Sequence, residues 1–362
     1  MIDLRLKVDP LPIVEPLVLR LCERDRSEHS EHDAHLIGRE TGCREYEYLG
    51  FSVRIHASDE LPLDGDVLMI LPGQPSAHRL IRATSMHNTL LITEQCDQLC
   101  VMCSQPPKKH HLDFFDQFAI AAKLAPSGAY IGISGGEPLL HKARLFEFLA
   151  SSAVARPDLR FHVLTNAQHL EAEDMKRLDE IGPERVLWGI PLYASDSKLH
   201  DEIVGKRGAF HRLERNLAFL MRAGASVELR TVVMQQNWGF LPDLANFVAN
   251  RLPFVSVWAL MQLERIGYGR MNWRNTFKDT STEFSALKSA INMAVAKGVE
   301  VALYNFPLCS VPPDYRQFAP STISDWKRKF LHVCRECSSR SACGGFFEWY
   351  SHDEGFEGIR PL

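Results

Sequence analysis

Residues 88–104 read NTLLITEQCDQLCVMCS, an apolar β-prone run that breaks into three cysteines within eight residues, Cys96, Cys100 and Cys103. Thr89–Thr93 has the composition and length of a strand. Downstream the same alternation recurs. Candidate strands at Tyr130–Ser134, Arg160–Leu164, Arg185–Pro191, Ser226–Val233 and Val255–Met261 are separated by amphipathic helical segments. Those segments are Leu112–Leu124, Lys142–Ser152, Glu171–Ile181, Ala209–Ala223 and Leu241–Asn250. Six βα repeats predict a parallel sheet, either open and doubly wound or a partial barrel. In both, ligands gather at the carboxyl ends of the strands. A helix over Thr282–Lys297 and a strand over Glu300–Tyr304 lead into a cysteine-rich tail.

Upstream, residues 1–86 lack a helical period. Tyr46–His56 and Asp66–Leu71 are β-prone, with turn signals at Pro62, Asp64-Gly65 and Pro72-Gly73. The expected organisation is a small β-rich N-terminal domain (1–86), a βα core (87–298) and a cysteine-rich extension (299–362). The stretch CERDRSEHSEHDAH, from Cys22, has irregular His spacing and no apolar support, so it reads as a solvated loop rather than a metal site.

The 362 residues are 45% hydrophobic and 24% charged, ordinary for a globular protein. A net charge of −4 disfavours a general nucleic-acid binder. Charges and prolines interrupt the first apolar run, and no stretch has the roughly 18 apolar residues of a membrane span. A cytoplasmic protein is expected. Nine cysteines, clustered rather than spread, then read as metal ligands and not as a disulfide framework.

The C-x3-C-x2-C loop follows the first βα strand. Iron–sulfur clusters are usually closed by four cysteines; three local thiolates leave an open position, as a catalytic metal site requires. A zinc site completed by a distant residue is the alternative that spacing leaves open.

This loop resembles that of the radical S-adenosylmethionine (SAM) superfamily, with Met102 where the family usually carries an aromatic residue. A thioether still packs against adenine. Further segments extend the resemblance. Ser134-Gly135-Gly136-Glu137-Pro138, one βα unit later, is similar to the family's GGEP motif, which meets the methionyl amino group. Thr165-Asn166 is similar to a TNG-like strand end, with Ala167 in place of glycine. His200–Gly205 and Gly208-Ala209-Phe210 are similar to the segment linking the fourth strand to its helix. Arg230 on the fifth strand is a candidate for the SAM carboxylate, beside the reading of an ion pair with a nearby acid. Asn237 matches a recurrent family asparagine or braces a turn, and the backbone at Met261 is placed to line the adenine. The resemblance implies a partial (β/α)6 TIM-like barrel. It also implies a 4Fe–4S cluster on Cys96, Cys100 and Cys103 whose open iron chelates SAM, and a 5′-deoxyadenosyl radical that takes hydrogen from substrate. Lys108, Lys109, His110 and His111 read as a solvated basic turn.

Near the C-terminus, Cys334, Cys337 and Cys343-Gly344-Gly345 make a C-x2-C-x5-C-G-G loop, and Cys309 can supply a fourth thiolate. Four ligands close such a site, for iron–sulfur or zinc. The tail resembles the twitch-type extension that binds one auxiliary 4Fe–4S cluster. Asn88–Cys96, Cys103–Lys108 and the tail together resemble the His-Xaa-Ser system maturases. That resemblance implies oxidative modification of a small ribosomally made precursor peptide, with a reductant such as flavodoxin or ferredoxin and a possible partner maturase. The N-terminal domain is expected to bind the precursor's leader by strand addition to an exposed edge. Radical dehydrogenation or rearrangement of a small molecule such as a sugar, and a non-catalytic iron–sulfur or zinc protein, are the other readings.

Overall fold

The computed structural model describes residues 3–25 and 29–362. Seven short strands open the chain: β1 (Arg5–Val8), β2 (Leu17–Cys22), β3 (Asp33–Glu40), β4 (Cys43–Tyr48), β5 (Phe51–His56), β6 (Val67–Ile70) and β7 (Ser76–Ile81). They close into a barrel in the order β1-β5-β4-β3-β2-β6-β7, with β7 returning to β1. Only β2–β3 is parallel. Among the described residues every strand has a neighbour on both sides, so the edge expected for strand addition is reduced to stretches such as Leu36–Glu40 of β3, beyond its ladder with β2. The predicted run Tyr46–His56 is two strands. Leu49 (φ 48°) and Gly50 (φ 84°) form a two-residue hairpin turn between Tyr48 and its partner Phe51. Both turn residues have positive φ, as tight antiparallel hairpins require; Leu at the first of them conceals the signal. Part of the acidic, His-rich stretch is also strand, since Asp33–His35 begins β3 and Asp33 is buried. Residues 26–28 of that stretch lie outside the described residues.

The barrel is apolar inside, where Leu19, Leu21, Tyr46, Ile55, Leu68 and Ile70 are fully buried. Along β6 every residue is buried: Leu68 and Ile70 face that interior, while Val67 and Met69 belong to the main core instead. The two-residue period of a strand makes this two-sided burial possible.

The main sheet holds β8 (Asn88–Thr93), β9 (Tyr130–Gly135), β10 (Arg160–Leu164), β11 (Val186–Pro191), β12 (Ser226–Val233), β13 (Val257–Gln262) and β14 (Val301–Tyr304). All seven are parallel and lie in chain order, with β8 and β14 at the edges. The strand read as leading into the tail is thus the seventh member of the sheet. The helices are α1 (Phe115–Leu124), α2 (Lys142–Ala155), α3 (Asp174–Ile181), α4 (Ser197–Val204), α5 (Ala209–Arg222), α6 (Gln235–Trp238), α7 (Leu241–Arg251), α8 (Gly267–Met271), α9 (Trp273–Thr276) and α10 (Ser285–Ala296). One sheet face packs on helices through residues such as Ile131, Ile133, Phe161, Val163, Val227 and Leu229. The alternate residues Ser134, Leu164, Arg230, Val232, Met261 and Tyr304 are only half-buried and line the other face. Among the described residues no helix is long and apolar enough to cross a membrane.

Candidate active site and a second cysteine cavity

The loop after β8 is held from three directions. Leu99 and Val101 donate backbone N–H groups to Val204 and Ile203 at the end of α4 (3.0 and 2.9 Å). Asn272 Nδ2 donates to the Val101 carbonyl at 2.8 Å, and the Tyr268 N–H to the Cys103 carbonyl at 2.8 Å. From the β9 exit, the Gly136 and Glu137 N–H groups donate to Thr93 and Gln95 carbonyls (2.9 and 2.7 Å). A Cβ at Gly136 would lie 2.0 Å from the Gln95 oxygen and 3.0 Å from Cys96 Cβ, so only glycine lets the two loops approach.

Cys96, Cys100 and Cys103 are all free thiols on this loop. Burial pushes the Cys96 thiol up to about 11, and its near neighbours Cys103, Glu137 and Asp97 act the same way. Burial also raises Cys100, with the charges of Cys103 and Cys96 adding to it. Three half-buried thiols raised by burial, two of them also by neighbouring thiols, lose their protons readily only against a cation. Met102 packs with Tyr193, Met234, Leu263 and Trp273 in a small apolar cluster under the loop.

Behind the loop lies a fully satisfied acid. Glu137 is fully buried and accepts from Leu139 N (2.8 Å), Thr165 Oγ1 (2.5 Å) and Asn166 N (2.6 Å). Burial pushes its carboxyl up to about 7 in spite of these bonds. The structure therefore brings Gly135, Gly136, Glu137, Thr165 and Asn166 to one place. Glu137 and Thr165 spend their polar atoms on each other, whereas Asn166 reaches forward to Asp97 Oδ1 at 2.9 Å. Ala167 adopts φ 55°, the conformation for which glycine is best suited.

Asp97 was not singled out in the sequence. It also receives His169 Nε2 (3.1 Å) and the Lys206 ammonium. Burial alone would raise its carboxyl, but the bonds from His169, Lys206 and Asn166 outweigh this and hold it well below the usual carboxylate range. An acid between the first two loop cysteines was the available signal, but its partners lie 69–109 residues away.

Arg230 pairs with Glu228, two residues earlier on the same face of β12. Tyr304 Oη donates to Glu228 Oε2 at 3.0 Å, and His162 Nε2 lies 3.3 Å from Oε1. Burial would raise Glu228, yet His162 and Arg230 bring it down to about 2. The two-residue spacing in Val227-Glu228-Leu229-Arg230 was the signal for this pair. Met261 sits beside Tyr304 in the parallel register. Asn237 braces a turn: its Oδ1 accepts from Met234 N (2.9 Å), and its Nδ2 donates to Tyr193 and Val232 carbonyls. In the basic turn, Lys108 pairs with Glu94 at 2.7 Å and His111 stacks on His141.

At the other end of the chain, Cys309, Cys334, Cys337 and Cys343 line one cavity, with Phe330, Phe346 and Arg340. Burial, helped by Cys343 and Cys334, pushes the Cys309 thiol up to about 12. Cys343 Sγ accepts from Leu308 N and Gly345 N (3.4 and 3.3 Å), and Cys337 Sγ from Leu362 N (3.5 Å). The short pair β15 (Arg328–Lys329) and β16 (Phe346–Phe347) holds this loop closed.

Residues 90–248 match the radical SAM superfamily. The chain carries a radical SAM domain. Such a domain implies a 4Fe–4S cluster and SAM. The residues fit that cluster: three free thiols share one loop, held close behind by a glycine that a side chain would displace. Among the described residues only His29, Asp33 and His35 draw three ligand atoms within 4.8 Å of one another. The His29, Asp33 and His35 atoms come together despite their irregular spacing, but the carboxylate is already held by Arg20 at 2.7 and 3.0 Å.

Beyond the radical SAM domain the relatives are distant. A GTP 3′,8-cyclase of Nautilia profundicola is 28% identical over 185 residues, 48% of this chain and 56% of its own. The antilisterial bacteriocin subtilosin biosynthesis protein AlbA of Bacillus subtilis is 25% identical over 167 residues, 45% of this chain and 36% of its own. Among solved structures, Streptococcus suis SuiB bound to S-adenosylmethionine superposes with a TM-score of 0.50 at 15% identity, covering 61% of this chain and 51% of that one. The chain thus spans about half the length of the cyclase and of SuiB, and about a third of AlbA.

Proposed function

We propose that this chain is a radical SAM enzyme that oxidatively modifies a ribosomally made precursor peptide. The observation that carries the peptide reading is the second cavity, where four cysteines converge about 200 residues beyond the first loop. Likeness to a bacteriocin biosynthesis protein supports it. The finer reading, a substrate of the His-Xaa-Ser type, rests on the loops at Asn88–Cys96 and Cys103–Lys108. Cys96, Cys100 and Cys103 would hold a 4Fe–4S cluster, which would supply the electron for reductive cleavage of SAM to a 5′-deoxyadenosyl radical.

The chain's own residues do the rest. Gly135 and Gly136 let the β9 exit run close against the cysteine loop, where it would meet the methionyl end of SAM, and Met102 and the Met261 backbone would serve its adenine. Glu137 fixes the strand ends at Thr165 and Asn166, and Asp97, locked by three partners, holds the cysteine loop against α4. Arg230 is a candidate for an anionic group, although its pairing with Glu228 competes. Cys309, Cys334, Cys337 and Cys343 would hold an auxiliary cluster able to take an electron from an oxidised substrate. The half-buried face of the parallel sheet would be the inside of a partial (β/α)6 barrel, with residues 1–86 and 299–362 as flanking units.

Anaerobic reconstitution with SAM and dithionite should yield 5′-deoxyadenosine, and a Cys100→Ala variant should yield none. Iron should reach ~8 per chain and fall to ~4 in the Cys334→Ala/Cys337→Ala variant. Absence of 5′-deoxyadenosine from fully loaded enzyme would refute the radical reading. Likeness to the GTP 3′,8-cyclase favours a second reading, a small-molecule substrate. Mass spectrometry of a co-expressed His-Xaa-Ser peptide separates the two: a mass loss supports the peptide, an unchanged mass with active enzyme the small molecule.

A further inference from the structure

A groove of about 930 Å³ runs between the segment Trp273–Glu283 and the C-terminal stretch His352–Glu357. Its walls carry four aromatic rings. Trp273 and Phe277 stack at 4.3 Å, Phe356 meets Phe277 edge-on at 5.3 Å, and Trp238 lies under the Lys278 ammonium at 4.6 Å. Its charge is one-sided. Asp279, Glu283, Asp353, Glu354 and Glu357 line it against Arg274 and Lys278. Lys278 is spent on Glu283, and Glu354 is paired with Arg265 behind the wall. Asp279 accepts from the N–H groups of Ser281 and Glu357. Asp353 and Glu357 are exposed and have no ion-pair partner among the described residues.

Trp273 joins this groove to the cysteine loop. It belongs to the same buried apolar cluster as Met102 and Tyr193, and its Nε1 donates to the Glu354 carbonyl at 2.5 Å. An acidic trough with exposed carboxylates at Asp353 and Glu357 favours ammonium and guanidinium groups by charge complementarity. A chain lying in it would lead towards the reactive loop.

We propose that this groove binds a lysine- or arginine-bearing segment of the peptide substrate, outside the residues that react. The proposal rests on the peptide reading above. Its test uses anaerobically reconstituted enzyme and a fluorescein-labelled octapeptide alternating lysine and serine, followed by anisotropy. The lysine probe should bind, and a glutamate-for-lysine counterpart should not. Asp353→Asn/Glu357→Gln should weaken binding about fivefold, the sum of two exposed charge contacts, and added salt should weaken it further. Glu180→Gln, on the distant helix α3, should leave binding unchanged. No binding, equal binding of the glutamate probe, an unaffected double variant, or an equal loss in Glu180→Gln would each overturn the proposal. Formation of 5′-deoxyadenosine by the double variant is measured alongside, so failure of the groove is distinguishable from failure of the radical reading.

Discussion

Glu137 illustrates what a single buried side chain does here. Its carboxyl is pushed up to about 7 by complete burial, against an ordinary value near 4.3. A carboxyl raised on folding contributes most stability while protonated, below its unfolded value, and loses it as pH rises through about 7. Thr165 Oγ1 is one of three donors that limit this loss. Thr165→Val removes that donor at nearly constant volume, so it should cost about 1–3 kcal/mol. The cost should be larger on the alkaline side of the Glu137 value than on the acid side, because the missing bond served the charged form. Urea unfolding of both proteins across that range checks the sign. A cost independent of pH would mean that Glu137 stays in one protonation state throughout.

Among the elements, the βα pattern was legible because each strand is short, apolar and followed by an amphipathic helix. The cysteine loop and its glycine partner were legible for the same reason, since both sit at strand ends. Several N-terminal strands were not: β1, β3 and β7 are mixed in polarity, and the partners of these strands and of β2 come from distant parts of a closed barrel. Asp97 and Glu228 escaped notice because their roles depend on His169, Lys206, His162 and Tyr304, which the chain brings together only on folding. The contact between the β8 and β9 exits gives a prediction at this scale. Gly136→Ala should push the Gln95–Cys96 backbone away by the width of a methyl group. Iron in the reconstituted variant should then drop from ~8 to ~4 per chain while the tail site stays filled, and 5′-deoxyadenosine formation should fall with it. Full iron with normal turnover would show that the loop has room to spare.

For the whole molecule, the question is what ties the first barrel and the last segment to the parallel sheet. Val18, Val67, Met69 and Ile81 pack into the same core as Phe115 and Phe118 of α1, an apolar attachment insensitive to pH. Arg82, directly after β7, makes the polar one: its guanidinium meets Asp325, 243 residues away, at 2.5 and 3.0 Å. Arg82 is buried and Asp325 partly exposed, so removing the acid strands the more costly partner. Asp325→Asn should therefore destabilise the chain by about 1–3 kcal/mol, with Ser85 Oγ retained as a partial partner of Arg82. The Arg82 guanidinium holds the Asp325 carboxyl below its ordinary value. A carboxyl depressed in this way contributes in full above the ordinary value and loses its contribution as pH falls through the lowered one. The gap between wild type and variant should be constant near neutrality and close in acid. Hydrogen exchange read by mass spectrometry should show faster exchange around residues 82–88 and 321–331, with the barrel interior unchanged. A uniform increase across the barrel would instead mean that the pair holds the N-terminal fold itself, not its attachment to the tail.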